Sequence, residues 1–194
     1  MKFDPKIHHR PFDAAQGRRS IRIKGYDYTQ AGAYFITIVT YHRDPLFGEI
    51  VNGEMQLSPM GRIAEEHWRA IPEHFPQVVL GTYVIMPNHV HGIMIIQPVR
   101  ATDVGVTDVA VGATHWVAPT ANGPKRGSIG AIIGAYKMSV TRRIQKELNE
   151  TAIWQRNYYE HVIRNDEEHH RIHLYIEANI DNWAMDDENP VKPT

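Results

Sequence analysis

The run Val90-His91-Gly92-Ile93-Met94-Ile95-Ile96 places apolar side chains on both faces of an extended strand. Successive strand residues point to opposite faces, so a strand that is apolar on both must be covered on both. This one segment demands at least three layers, with the strand in the middle one.

The remaining elements follow in order along the chain. Ala33 to Tyr41 (AYFITIVTY) is rich in aromatic and β-branched residues and predicts a strand. Leu46 to Leu57 predicts a small hairpin turning at Asn52-Gly53. Ser58-Pro59 opens a helix over Met60 to Ile71, with serine as N-cap and proline at the first position. Val78 to Met86 is a second main strand, joined to a third, His89 to Ile96, by a short turn at Pro87-Asn88. Ser128 caps a helix to about Leu148, with Ile129, Ile132, Ile133, Tyr136 and Val140 on its inner stripe. Tyr158 to Ile163 fits a fourth strand. Asn165, with Glu168 three residues on, starts a last helix to about Ile180.

Without the early hairpin, the order is strand, helix, strand, strand, helix, strand, then one extra helix. That is the α+β, ferredoxin-like arrangement (βαββαβ): an antiparallel sheet with two helices on one face. The extra C-terminal helix is the one element left to cover the other face, which brings it over the strand carrying His89 and His91. One domain is expected over 21–184, after an N-terminal extension (1–20) and before a C-terminal tail (185–194). Gln97 to Gly127, rich in Gly, Pro, Ala, Thr and Val, reads as a loose insertion or substrate-side loop.

Composition narrows the chemistry. The 194 residues include no cysteine, so any metal must use histidine, carboxylate or amide donors. No apolar run has signal-peptide or transmembrane character, so a cytoplasmic protein without membrane partners is expected, nucleoid-associated when on DNA. A net charge of −1 does not advertise a nucleic-acid binder. Basic residues do cluster locally, at Arg18, Arg19, Arg22 and Lys24 and again at Lys137, Arg142, Arg143 and Lys146, while acids gather at Asp186-Asp187-Glu188. Such runs are either phosphate-binding patches or solvated faces.

His89 and His91 point to the same face, with Cβ atoms on the order of 7 Å apart. They can share one divalent ion, or they can be half-buried histidines that only hydrogen-bond. On the last helix, Tyr175 and Asn179 are four apart and therefore neighbours. Asn179 offers an amide oxygen to a hard cation and Tyr175 a phenol nucleophile. Alternatively, Tyr175 packs beside Ile172 and Ile176.

The chain resembles the single-tyrosine HUH transposases, in particular the branch of the REP-associated tyrosine transposases. The segments that carry the resemblance are Lys24-Gly25-Tyr26-Asp27-Tyr28 with Ala33-Tyr34-Phe35, and Val84 to Ile93 (VIMPNHVHGI). Gly130 to Arg143, Trp154 to Ile163, and Arg164 to Trp183 with its Tyr-Ile-Glu-Ala-Asn follow in the family's order. The resemblance spans roughly Arg19 to Pro190. It implies a metal-dependent DNA transposase or endonuclease that cleaves and rejoins single-stranded or hairpin DNA. His89 and His91 would hold Mg²⁺ or Mn²⁺ with Asn179 as third protein ligand, and Tyr175 would form a covalent 5′-phosphotyrosine. Arg18, Arg19, Arg142, Arg143 and Arg156 are the expected backbone contacts. Two other readings stay open: a domesticated, non-cleaving binder of structured repeat DNA, and a metal-dependent phosphoesterase that uses water. Both a monomer and a homodimer with exchanged tyrosine helices are compatible with the sequence.

Overall fold

A computed structural model describes residues 27–98, 124–186 and 188–189. The extension 1–20 with Arg18 and Arg19, most of 97–127, and the end of the tail lie outside the described residues. The elements are strands β1 (Gly32–Val39), β2 (Gly48–Val51) and β3 (Glu54–Leu57), then helices α1 (Pro59–Arg69) and α2 (Ile71–His74). Strands β4 (Val78–Met86) and β5 (His89–Ile96) follow, then α3 (Ile129–Leu148), β6 (Tyr159–Ile163) and α4 (Asp166–Glu177). Single 3-10 turns occupy Tyr41–Arg43 and Trp183–Met185.

The main sheet runs β4-β5-β1-β6, with every neighbouring pair antiparallel. This is the ferredoxin-like strand order expected from the sequence. The hairpin β2–β3 turns at Asn52 and Gly53, both at positive φ (54° and 80°), as a two-residue turn between twisted strands requires.

Alternation places Tyr34, Ile36 and Ile38 of β1 and Val90, Met94 and Ile96 of β5 on the face covered by α1 and α3. That layer is organised by Trp68 of α1 and Tyr136 of α3, whose rings meet edge-on at 5.4 Å. Gly92 sits under Trp68: a Cβ there would lie 2.4 Å from the indole Cζ2, so no larger residue fits. The opposite face carries Phe35, Ile93 and Ile163, and α4 covers it with Ile172 and Ile176. Burying two isoleucines on this face contributes roughly 1.5–3 kcal/mol each. The third layer demanded by the doubly apolar β5 is therefore the tyrosine-bearing helix.

Caps define the helix starts. Ser58 Oγ accepts from Gly61 N at 3.0 Å and Ser128 Oγ from Ala131 N at 3.3 Å. In α4, Asn165 Oδ1 accepts from Glu168 N, while Glu168 Oε2 accepts from Arg164 N, both at 2.8 Å. Three acids in the first turn of α4 complement its positive end.

Element ends differ from expectation for local reasons. β1 stops at Val39 because Thr40 and Tyr41 give their N–H groups to Asn88 O and Ile153 O, and His42 and Arg43 then turn the chain at positive φ. The first helix breaks at Ala70, where the proline of the Ile71–His74 turn begins a new short helix. α4 ends at Glu177, and turns replace the predicted helix to Ile180.

Candidate functional site

His89 and His91 open β5, at the end of the sheet where Val39 and Thr37 of β1 face them in register. Both side chains lie on the α4 face, with ring centroids 4.3 Å apart, and both are fully buried. The structure brings Tyr175 to them: its hydroxyl lies 3.2 Å from His91 Nε2, and its ring packs 5.4 Å from the His91 ring and 6.0 Å from Phe35. Tyr175 thus reaches the histidines of its own chain. The docking of α4 that sets this distance includes a hydrogen bond between Thr82 on β4 and His173.

The orientation of His89 is fixed by Asn88. The Asn88 amide nitrogen donates to the carbonyls of Arg43 (3.0 Å) and Glu188 (2.6 Å), which can only accept. Asn88 Oδ1 is therefore the atom facing His89 Nδ1 at 2.9 Å, and Nδ1 must carry the proton. The Nε2 lone pair of His89 is then the donor presented to the cluster. On the neighbouring imidazole, Thr37 Oγ1 sits 2.9 Å from His91 Nδ1 and leaves Nε2 directed at Tyr175.

Residues after α4 fold back over this pair. Trp183 packs 6.0 Å from the His89 ring, and Asp186 brings a carboxylate oxygen into a group with His89 and His91 whose ligand atoms lie within 4.8 Å of one another. Asn179 is buried and donates from Nδ2 to Asp186 Oδ2 at 3.2 Å, and its Oδ1 has no hydrogen-bond partner among the described residues. Glu188 ties the segment down through an ion pair with Arg43 at 3.0 Å and through its carbonyl to Asn88. Two imidazoles, a carboxylate and a buried amide oxygen without a partner are a donor set that suits Mg²⁺ or Mn²⁺.

The basic residues divide. Arg142 and Arg156 line an open cleft of about 320 Å³ with Lys137, Met138 and Trp154. The cleft lies close to the histidine end of the sheet, since Gln155 N donates to Val39 O and Val39 is the register partner of His89. Lys137 donates to the carbonyls of Gln155, Arg156 and Asn157, and burial pushes its ammonium down to about 8. Arg143 instead pairs with Glu66 and Glu147. Tyr136 donates to Ala64 O at 3.1 Å in the core, where burial raises its pKa. Tyr158 hydrogen-bonds Glu160. Tyr159 packs with Phe35, and its hydroxyl pKa is raised by burial and by the Glu168 charge.

Three residues of the cluster were not singled out from the sequence. Asn88 was read only as a turn residue, although its position directly before the first histidine is the signal that could have found it. Thr37 becomes visible only once the β1–β5 register is known. Asp186 was seen as one of a run of C-terminal acids, with nothing in the linear pattern to link it to the histidines.

No family model matches the chain. Its fold is that of a REP-associated tyrosine transposase solved bound to a REP hairpin, which superposes with a TM-score of 0.56 over 86% of this chain and 74% of that one, at 16% identity. The chain belongs to the same family as an uncharacterised protein of Haemophilus influenzae, 39% identical over 189 residues that cover 95% of this chain and 96% of that protein. No helix among the described residues is long and apolar enough to cross a membrane.

Proposed function

We propose that this chain is a metal-dependent DNA strand transferase that cleaves and rejoins single-stranded or hairpin DNA through a covalent tyrosine adduct. The observation that carries this reading is the Tyr175 hydroxyl 3.2 Å from His91 Nε2, beside the His89, His91 and Asp186 cluster. The fold shared with a transposase that was solved on a DNA hairpin supports the choice of substrate.

In this reading the Tyr175 oxygen attacks the scissile phosphorus and the bond from phosphorus to the 3′-oxygen breaks, leaving a 5′-phosphotyrosine. The phenolic proton passes to solvent water, and the departing 3′-oxygen takes up a proton from water, so the proton count is conserved. The adduct conserves the phosphodiester energy, so a 3′-hydroxyl can reverse the step and join a new strand without a nucleotide cofactor. His89 and His91 would hold Mg²⁺ or Mn²⁺, with Asn179 or Asp186 from the segment after α4 as third donor; the bound ion would supply Lewis-acid polarisation of the scissile phosphate. Asn88 and Thr37 orient the two imidazoles from behind. Arg142 and Arg156 are proposed to hold the DNA backbone, together with Arg18 and Arg19; Arg143 joins them only by releasing its carboxylate partners.

The test is incubation of the protein with Mn²⁺ and a single-stranded hairpin DNA, followed by a denaturing gel. Wild type should yield a protein–DNA adduct and Tyr175→Phe none; an undiminished adduct from Tyr175→Phe would overturn the nucleophile assignment. A second reading, a binder of structured DNA that does not cut, is favoured by the full burial of both imidazoles, with Trp183 packed on His89 and Tyr175 on His91. It predicts hairpin binding that persists in chelator and no adduct with any divalent metal.

A further inference from the structure

We infer that Asp186 is the third protein ligand of the metal site and that Asn179 acts on the ion through it, as a residue that positions the carboxylate. The inference rests on the reading of His89 and His91 as the metal pair.

Geometry is the first reason. One carboxylate oxygen of Asp186 and one nitrogen of each histidine lie within 4.8 Å of one another. Donors around a small divalent ion at about 2.1 Å sit about 3 Å apart as neighbours and about 4.2 Å apart when opposite, so the group closes on an ion with only a small contraction.

The second reason is charge. Asp186 is only 9% exposed, and among the described residues no lysine or arginine pairs with it. Its hydrogen-bond donors are neutral: Glu188 N to Oδ1 at 2.7 Å and Asn179 Nδ2 to Oδ2 at 3.2 Å. Arg43, which anchors the neighbouring Glu188, is paired with that residue's carboxylate. A buried carboxylate held by neutral donors alone is costly, and a divalent ion between it and the imidazoles removes that cost. A carboxylate has about four acceptor sites, so Asp186 keeps both hydrogen bonds while it ligates.

The third reason is the construction around it. Asp186 N donates to Trp183 O and its own carbonyl accepts from Asn189 N, which locks the backbone; Asn88 and Arg43 anchor Glu188 two residues on. Asn88 therefore holds both His89 and the irregular segment that carries Asp186, aligning two donors from one side chain. The Asn179 amide nitrogen is committed to the carboxylate, and two imidazoles and one carboxylate supply the nitrogen and charged donors of the site. Such a set favours Mn²⁺ over Mg²⁺, because imidazole is a better donor to the transition metal.

The experiment titrates Mn²⁺ into the full chain and follows free Mn²⁺ by electron paramagnetic resonance, with the Mn²⁺-induced rise in Tm as a second readout. Wild type should bind Mn²⁺ at least about 10-fold more tightly than Mg²⁺. Asp186→Asn should weaken Mn²⁺ binding by roughly 100-fold, and Asn179→Ala by roughly 10-fold, the usual range for losing a ligand's supporting partner. In chelator, Asp186→Asn should melt no lower than wild type, since it removes a buried charge; Asp186→Ser serves as a second probe should the asparagine variant misfold. Equal Mn²⁺ affinity in wild type and both Asp186 variants, with binding lost in His89→Ala, would overturn the inference and leave the histidine pair intact. Absence of Mn²⁺ binding in wild type would overturn both.

Discussion

Replacing Asn88 with alanine tests how the histidine end of the sheet is organised. The side chain is fully buried and makes three hydrogen bonds: to Arg43 O at 3.0 Å, Glu188 O at 2.6 Å and His89 Nδ1 at 2.9 Å. Truncation strands two backbone carbonyls and one imidazole N–H, each costing about 1–3 kcal/mol when buried without a partner. Partial hydration of the vacated space reduces this, and a loss of about 3 kcal/mol remains a conservative figure. For a chain of this size that corresponds to a fall in Tm of roughly 6–12 °C. The same change frees the His89 ring to rotate or switch tautomer and releases the 183–189 segment, so Mn²⁺ affinity should drop by about 10- to 100-fold. Thermal melting in chelator separates the first effect from the second, which is read by Mn²⁺ titration well below the melting range. An Asn88→Ala protein with wild-type Tm and wild-type Mn²⁺ affinity would refute the argument that this residue sets both the imidazole and the strap.

Three further outcomes follow from other parts of the molecule. Gly92→Ala should lower Tm by several degrees without altering the metal donors, since its Cβ would meet Trp68 at 2.4 Å and overpacking of this kind costs about 1–3 kcal/mol; an unchanged melting curve contradicts the packing account. Arg142→Ala and Arg156→Ala should each weaken hairpin-DNA binding and reduce the salt slope by about 1, whereas Arg143→Ala, whose partners are Glu66 and Glu147, should leave that slope unchanged in a fluorescence anisotropy titration at several salt concentrations. Burial alone would raise the Glu168 pKa, but the Arg164 N–H, His161 and Arg171 outweigh it and hold the group below its ordinary value of 4.5. Its stabilising contribution is therefore present above that value and lost as pH falls through the lower folded value, so Glu168→Gln should flatten the acid limb of a Tm–pH profile; an identical limb in wild type and variant contradicts this.

The layering was legible because β5 is apolar on both faces and the inner stripe of α3, from Ile129 to Val140, repeats at helical spacing. Those two patterns, with the capping residues Ser58, Ser128 and Asn165, were enough to order the sheet and to send α4 over the histidines. That topology carried Tyr175 over β5 but left open whether it met the histidines or packed beside Ile172 and Ile176. What stayed hidden depends on register and on irregular backbone. Thr37 reaches His91 only because Thr37 and His91 are partners across β1 and β5. Asp186 enters the cluster through a 3-10 turn and a strap held by Arg43, and Arg43 itself is presented at a positive φ that periodicity does not predict. Asn179, expected on the same helical face as Tyr175, lies beyond the last helical residue, in a turn that points its amide nitrogen at Asp186.

In the proposed reaction the Tyr175 hydroxyl oxygen is the atom that takes the DNA. The tryptic fragment that begins at Ile172 contains Tyr175 as its only tyrosine, so the point of attachment can be read by mass. After reaction with a hairpin oligonucleotide in Mn²⁺ and nuclease trimming, the account predicts that this fragment carries a 5′-linked phosphonucleotide. A nucleotide found on any other tyrosine, or cleavage products with no covalent adduct at all, would contradict it.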